Sequence, residues 1–163
     1  MSRCSIFCSS GRLRRPLSAN VGRRTMSFDL AVWPREAVAS TTDAEKLYLQ
    51  LCNDPGTACA SLPASAGLEG FYQELTALHP QIDDISEEGI DNTDLCPWSI
   101  AFDRSDRHIL MCSVWSKADY VESLVRDLAH KHGLAMFNPQ ARSLHLPSQP
   151  LALATSRPWW KIW

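Results

Sequence analysis

The spacing of the apolar residues constrains this chain most, because it changes several times between the period of a strand and that of a helix. Apolar and other side chains alternate from Phe28 to Trp33, as in a β-strand, and Pro34 ends the pattern. A capping-box sequence at 42–45 predicts the start of a helix, and Pro80 predicts the end of a second one. The apolar residues at helical spacing in these two segments are Leu47, Tyr48, Leu51 and Cys52, then Leu68, Phe71, Tyr72, Leu75 and Leu78.

The second half of the chain repeats this change of period. Alternating segments at 98–102 and 109–115 enclose a polar turn, which predicts a hairpin. A second capping box at 116–119 predicts a helix, Gly133 suits the position after its end, and Leu134 to Phe137 is typical of a last strand. The apolar face predicted for this helix consists of Tyr120, Val121, Leu124, Val125 and Leu128.

The predicted order of elements is β-α-α-β-β-α-β. When one helix is set aside, the order β-α-β-β-α-β remains, which is the split βαβ arrangement called ferredoxin-like. We therefore expect an α+β fold with a four-stranded antiparallel sheet and one extra helix. Right-handed crossovers are expected to place the helices on one face of the sheet and to leave the other face free to bind a ligand or a partner.

Charge and composition divide the 163 residues into three segments. Residues 1–25 carry six arginines and no acid, which is typical of an organellar transit peptide or of a misassigned start. We favour translation from Met26, because a strand pattern begins directly after it. Residues 26–146 are predicted to be a single α+β domain, and residues 147–163 a Pro-rich linker with a Trp-rich tail.

Composition and motif content argue against several classes of function. Residues 26–163 carry ten Lys and Arg against eighteen Asp and Glu, a net charge of −8, which disfavours nucleic-acid binding and suits a basic partner. No apolar run approaches the ~20 residues that span a bilayer, so no integral membrane segment is expected. The spacing of the cysteines and histidines matches no metal motif, and no phosphate-binding loop or nucleophile motif occurs. We therefore predict no metal, no cofactor and no catalytic residue.

Three groups of residues are candidates for contact with a partner. The acidic residues between 83 and 94 form the densest charge cluster, without the spacing of a calcium loop. The tryptophans at predicted strand ends either pack in the core or form an aromatic patch on the open sheet face. The tryptophans of the tail need a surface to cover them, and a protein surface is favoured over lipid. In this order the three groups are Asp83, Asp84, Glu87, Glu88, Asp91 and Asp94; Trp33, Trp98 and Trp115; and Trp159, Trp160 and Trp163.

Several short motifs are similar to those of a family of small bacterial proteins whose members begin M-S-[FY]-D-L. The segments that carry the resemblance are 26–33, 97–99, 114–116, 132–134 and 137–140. The resemblance extends over residues 26–142 and includes no catalytic residue. It implies an accessory or immunity-type protein that accompanies a bacterial toxin, and it supports Met26 as the start.

The function favoured on these grounds is that of a non-enzymatic, cytoplasmic binding protein. It would neutralise a basic toxin domain through electrostatic steering and aromatic anchors. One alternative is a small enzyme or ligand-binding domain with a pocket on the open face of the sheet. Another is a membrane-associated adaptor held by the Trp-rich tail.

Overall fold

A computed structural model describes residues 27–147 of the chain, with only the backbone of Glu87 and Glu88 within that range. The strands are β1 (Ser27–Pro34), β2 (Asp103–Arg104), β3 (Ile109–Val114), β4 (Leu134–Asn138) and β5 (Ser143–His145). The helices are α1 (Thr41–Asn53), α2 (Pro55–Ser61), α3 (Ala66–Leu78), the single turn α4 (Glu87–Ile90) and α5 (Ala118–Lys131). The predicted α+β class is confirmed. The predicted leader at 1–25 and the three tail tryptophans lie outside the described residues.

The sheet has five antiparallel strands in the order β2-β3-β1-β4-β5, with β1 at its centre. Ala31 of β1 pairs with Leu110 of β3 on one side and with Phe137 of β4 on the other. Only four strands were predicted, because the three residues of β5 are too few to show a period of two. β5 follows a tight turn in which the Asn138 side chain accepts hydrogen bonds from the backbone N–H groups of Gln140 and Ala141, at 2.9 and 3.0 Å.

One face of the sheet packs against α3 and α5. Leu30 and Val32 of β1 point to this side with Met136 of β4, as alternation along a strand requires. The helices contribute Leu68, Phe71, Leu75, Val121 and Val125, all of them buried.

The other face of the sheet is also covered, so the prediction of an open face is wrong. Trp33 of β1 and Phe137 of β4 lie in a second core with Leu47 and Leu51 of α1. The physical reason is the length of the first crossover, residues 35–102, which supplies α1 and α2 to one face and α3 to the other. β1 is therefore buried on both sides rather than half-buried.

The strand predicted at 98–102 is mostly absent. Trp98 makes an isolated bridge with Ser113, and the ladder proper is limited to the two residues of β2. The Phe102 backbone N–H donates to the Gln81 side-chain oxygen at 3.0 Å instead of to a strand. The segment is thus tied to the loop before it, although its alternating pattern is that of a strand.

The helix ends agree with the sequence only in part. Ser40, rather than the predicted Thr42, caps α1, since its hydroxyl accepts from the Asp43 backbone N–H at 3.2 Å. Lys117 precedes α5 without any side-chain cap, so the predicted capping box at 116–119 is wrong. A 3-10 turn at Trp115–Lys117 leads directly into α5 and takes its place. Gly133 has φ of +70° after α5, as expected for a glycine in that position.

Gly67, in the first turn of α3, allows that helix to touch the turn between α5 and β4. A Cβ there would stand 2.6 Å from the His132 backbone oxygen. We expect G67A to lower the free energy of unfolding by about 1–3 kcal/mol, measured by urea denaturation, because backbone must move to relieve the contact. Gly56 in α2 is the control: a Cβ there meets only Asp54 Oδ1, at 3.8 Å. G56A should be neutral or stabilising, and a G67A chain as stable as G56A would contradict the prediction.

Candidate functional site

The three tryptophans predicted as partner contacts have different environments. Trp33 is fully buried, and Trp98 is 3% exposed. Only Trp115 is at the surface, where it is 50% exposed and packs edge-on against Phe28 with ring centroids 5.6 Å apart. Trp33 and Trp98 therefore pack in the core, the first of the two environments that the sequence left open for them, and neither presents its ring at the surface.

The acidic segment lies at the surface, as its composition suggests. Asp83, Asp84, Asp91 and Asp94 are exposed, and α4 lies among them. Asp94 forms an ion pair with Lys117, and its hydrogen bond to this ammonium group lowers the pKa of Asp94. Because Lys117 belongs to the turn that carries Trp115, this ion pair joins the end of the acidic segment to the exposed tryptophan.

A buried histidine makes a second connection between the acidic segment and α5. His79 Nδ1 lies 3.1 Å from the Leu95 backbone oxygen, and His79 Nε2 lies 2.8 Å from the Tyr120 hydroxyl. Trp98 Nε1 donates to the His79 backbone oxygen at 3.0 Å. Leu95 and Tyr120 are both exposed beside this histidine, at 42% and 51%. The buried His79 thus connects two exposed hydrophobic residues, Leu95 and Tyr120, beside the acidic segment.

A cleft of about 610 Å³, which we call the α5 cleft, lies at the start of α5, and Lys117 and Tyr120, one residue from each of these connections, are among its lining residues. The lining residues used below are Phe28, Trp115, Lys117, Asp119, Tyr120 and Glu122. Lys117 is the one basic side chain among the described residues that line it, and it is paired with Asp94. The cleft therefore presents two half-exposed rings beside the carboxylates of Asp119 and Glu122.

Tyr120 was predicted to be a core residue of α5, and that prediction is wrong. The residues of α5 that are buried include Val121, Val125 and Leu128, which follow each other at the spacing of one helix face. Tyr120 is one position before Val121, about 100° around the helix, and so lies at the edge of the buried stripe. A buried stripe that contains Val121, Val125 and Leu128 but not Tyr120 leaves the tyrosine ring at the surface.

A carboxyl group and a thiol lie side by side on β1 and β3. Asp29 pairs in register with Cys112, and the Tyr48 hydroxyl donates to Asp29 Oδ2 at 3.3 Å. Burial raises the pKa of Asp29, although hydrogen bonds from Cys112 and Tyr48 oppose it. Burial also raises the pKa of the Cys112 thiol to about 12. A thiol with such a pKa stays protonated near neutral pH, so this pair is not a nucleophilic site.

Asp29 should make folding less favourable as the pH rises. The pKa of Asp29 in the folded chain is above the ordinary 3.8, so the folded state holds the proton more tightly than the unfolded state does. The stability gained from this proton is fully present below pH 3.8. It is lost as the pH rises through the pKa of the folded state. We expect D29N to have a higher free energy of unfolding than the native chain at pH 7 and a similar one at pH 3, in urea titrations. D83N, at an exposed carboxylate, is the control and should change neither value. A D29N chain that is less stable at pH 7 would contradict the assignment.

Ser105, His108 and Asp103 bring together the side-chain types of a hydrolase triad. His108 Nδ1 lies 2.9 Å from Ser105 Oγ, and His108 Nε2 lies 3.8 Å from Asp103 Oδ1. Ser105 Oγ also accepts from the backbone N–H groups of Arg107 and His108, at 3.1 and 3.2 Å. Because these bonds occupy the hydroxyl oxygen and His108 is only 3% exposed, the cluster holds the turn between β2 and β3 and does not present a nucleophile.

Within residues 27–147, no three His, Cys, Asp or Glu side chains lie close enough together to hold a metal ion. No helix in the same range combines the length and the apolar character needed to cross a membrane. In comparisons with known proteins, no protein-family model, no curated protein and no solved structure matches the chain.

Proposed function

We propose that this chain is a non-enzymatic protein that binds a basic protein partner at the α5 cleft. The observation that carries the proposal is the pairing of two half-exposed rings, Trp115 and Tyr120, with the carboxylates of Asp119 and Glu122 in one cleft. Trp and Tyr are the residues that most often dominate protein interfaces, and arginine or lysine side chains stack on such rings. Carboxylates beside the rings then favour a basic partner over an acidic one.

The acidic segment would act before contact is made. Asp91 and Asp94 are exposed next to Leu95, which contacts the same histidine as Tyr120. Charges of one sign near a binding surface speed the encounter with a partner of opposite charge, and salt screens the effect over about 8–10 Å. In this proposal the acidic segment determines the association rate, and the rings determine how long the complex lasts.

We further propose that the core of the fold is ferredoxin-like. The order β4-β1-β3-β2, read without β5, with antiparallel neighbours throughout, supports this. α3 and α5, which pack on one face, would be the two crossover helices of the split βαβ unit. α1 and α2 would then be an insertion in the first crossover, and β5 an addition at the edge.

We propose that the partner is a basic toxin domain and that the chain is an immunity-type protein that acts in the cytoplasm. The net charge of −8 over residues 26–163 and the acidic cleft support a basic partner. A toxin gene directly upstream of the gene for this chain would favour this proposal. A metabolic operon would favour the ligand-binding alternative.

Affinity capture with the full chain as bait tests the binding surface. We expect W115A and Y120A each to weaken a complex by about 2 kcal/mol or more, close to thirtyfold in Kd, because hot-spot rings contribute on that scale. The control is L49A on α1, since Leu49 is 44% exposed and does not line the cleft. Captured proteins are identified by mass spectrometry, and each complex is then reconstituted from purified components for titration at two salt concentrations.

We expect the captured partner to be basic and to associate more slowly at high salt. Its capture should fail with the double variant W115A/Y120A and succeed with L49A. A partner captured equally well by W115A, Y120A and L49A would exclude the α5 cleft as the binding surface. A partner that is acidic, or whose association is independent of salt, would exclude the electrostatic part of the proposal.

A further inference from the structure

The last described strand, β5, begins beside the α5 cleft, since its Ser143 pairs with Asn138, which lines the cleft. β5 is the edge strand next to β4, and its His145 Nε2 lies 3.8 Å from Glu122 Oε1. Leu144 and Leu146 pack against the second core, and Pro147 is buried. From Ser143 the chain runs antiparallel to β4, away from the cleft, so a segment that follows Pro147 must turn back to reach it.

The residues that follow have the chemistry that the cleft would recognise. Residues 148–163 contain Arg157 and Lys161 and no acid, with three tryptophans among the last five residues. The cleft carries the carboxylates of Asp119 and Glu122 and the rings of Trp115 and Tyr120. The tail and the cleft of one chain therefore carry opposite charges and aromatic side chains, which attract each other when they meet.

The distances allow the contact. Twelve peptide steps separate Pro147 from Trp159, and an extended chain of that length spans up to about 40 Å. The whole of α5, at 14 residues, is only about 21 Å long. The α5 cleft is open to the surface, and the exposed rings of Trp115 and Tyr120 line it, so a further aromatic side chain can pack against them.

We propose that the segment Arg157–Trp163 docks in the α5 cleft of its own chain, with Lys161 beside Asp119 and Glu122. The tail would bury its indoles on Trp115 and Tyr120, which are otherwise half exposed to water. A regulatory consequence rests on the proposed function: the tail competes with the basic partner for the same rings, and the partner must displace it. The docking itself requires no partner.

Zero-length carbodiimide cross-linking of the purified full chain tests this contact. The reagent joins an amine to a carboxylate only when the two are in contact, so we expect a cross-link between Lys161 and Asp119 or Glu122 in the monomer, located by mass spectrometry. W115A/Y120A keeps both carboxylates but removes the aromatic walls, and should lose this cross-link. L49A should keep it. Replacing the three tail tryptophans with serine, which leaves Lys161 and residues 27–147 unchanged, should also lose it.

Cross-links from Lys161 to exposed carboxylates elsewhere, such as Asp83 and Asp127, in place of those in the cleft would overturn the proposal. A mixture of isotopically light and heavy chains that yields mixed cross-links would overturn docking within one chain. Failure of this docking proposal can be distinguished from failure of the proposed function, because the cross-link is measured without any partner. If a basic partner requires Trp115 and Tyr120 while Lys161 does not cross-link to the cleft, only the tail proposal fails.

Discussion

Replacing Trp33 with alanine is expected to lower the free energy of unfolding by about 3–5 kcal/mol, the usual result of removing a large buried aromatic side chain. Trp33 is fully buried and stacks on Phe137 with ring centroids 6.1 Å apart. Leu47 and Leu51 of α1 belong to the same core, and their relaxation cannot fill the volume of an indole. Urea denaturation followed by far-UV circular dichroism measures the change.

W115A is the matched control for W33A, since Trp115 is 50% exposed at the end of β3. We expect W115A to destabilise the chain by about 1 kcal/mol or less, because Trp115 belongs to neither of the two cores. A W33A chain no less stable than W115A would mean that α1 and α2 do not cover this face of the sheet. The pair therefore separates a core tryptophan from a surface one.

Replacing Trp98 with alanine should have an effect of similar size, about 3–5 kcal/mol, for a different reason. The Trp98 ring lies 4.7 Å from that of Phe102, and its N–H donates to the His79 backbone oxygen at 3.0 Å. Loss of the indole opens a cavity in the core between the sheet and helices α3 and α5. It also leaves the buried backbone carbonyl of His79 without its hydrogen-bond donor. Denaturation in urea again gives the free energy.

W98F separates the two contributions, because phenylalanine retains most of the ring volume but not the N–H. We expect W98F to lose less stability than W98A, with the remaining loss due to the missing hydrogen bond and the smaller ring. W98A should also increase hydrogen exchange in residues 91–96, since His79 connects that segment to Tyr120. Unchanged exchange there would contradict the role of Trp98 in holding the acidic segment.

The sequence predicted the helices and strands whose apolar residues repeat regularly. It did not predict features that depend on contacts with residues far away in the chain. β1, α1, α3, α5 and β4 were predicted close to their observed bounds, because apolar residues repeat along each of them. The strand predicted at 98–102 is mostly absent, since the Gln81 side chain takes the backbone N–H of Phe102, and β2 lies after it, in the segment predicted as a turn. The covering of the second face also escaped prediction, since the pattern of α1 does not tell which face of a sheet the helix covers.

The candidate site shows the same limit of local patterns. Trp115 was among the predicted contacts and is exposed, and the acidic residues Asp83, Asp84, Asp91 and Asp94 also lie at the surface, as the charge of the segment indicates. Tyr120 was assigned to the core, and the choice between core and surface stayed open for Trp33 and Trp98, because local spacing does not distinguish the two environments. The hydrogen bonds of His79 join residues 16 and 41 positions away, which no local pattern reveals.

The position of β1 in the sheet has a consequence for how this protein forms during synthesis. β1 is made first, yet its two neighbours, β3 and β4, begin at Ile109 and Leu134. While the ribosome adds the intervening residues, the central strand has neither partner, and both of its apolar faces lack most of their covering. Such late, long-range pairing slows folding and exposes aggregation-prone surface, so the nascent chain should depend on chaperones until residue 138 has left the exit tunnel.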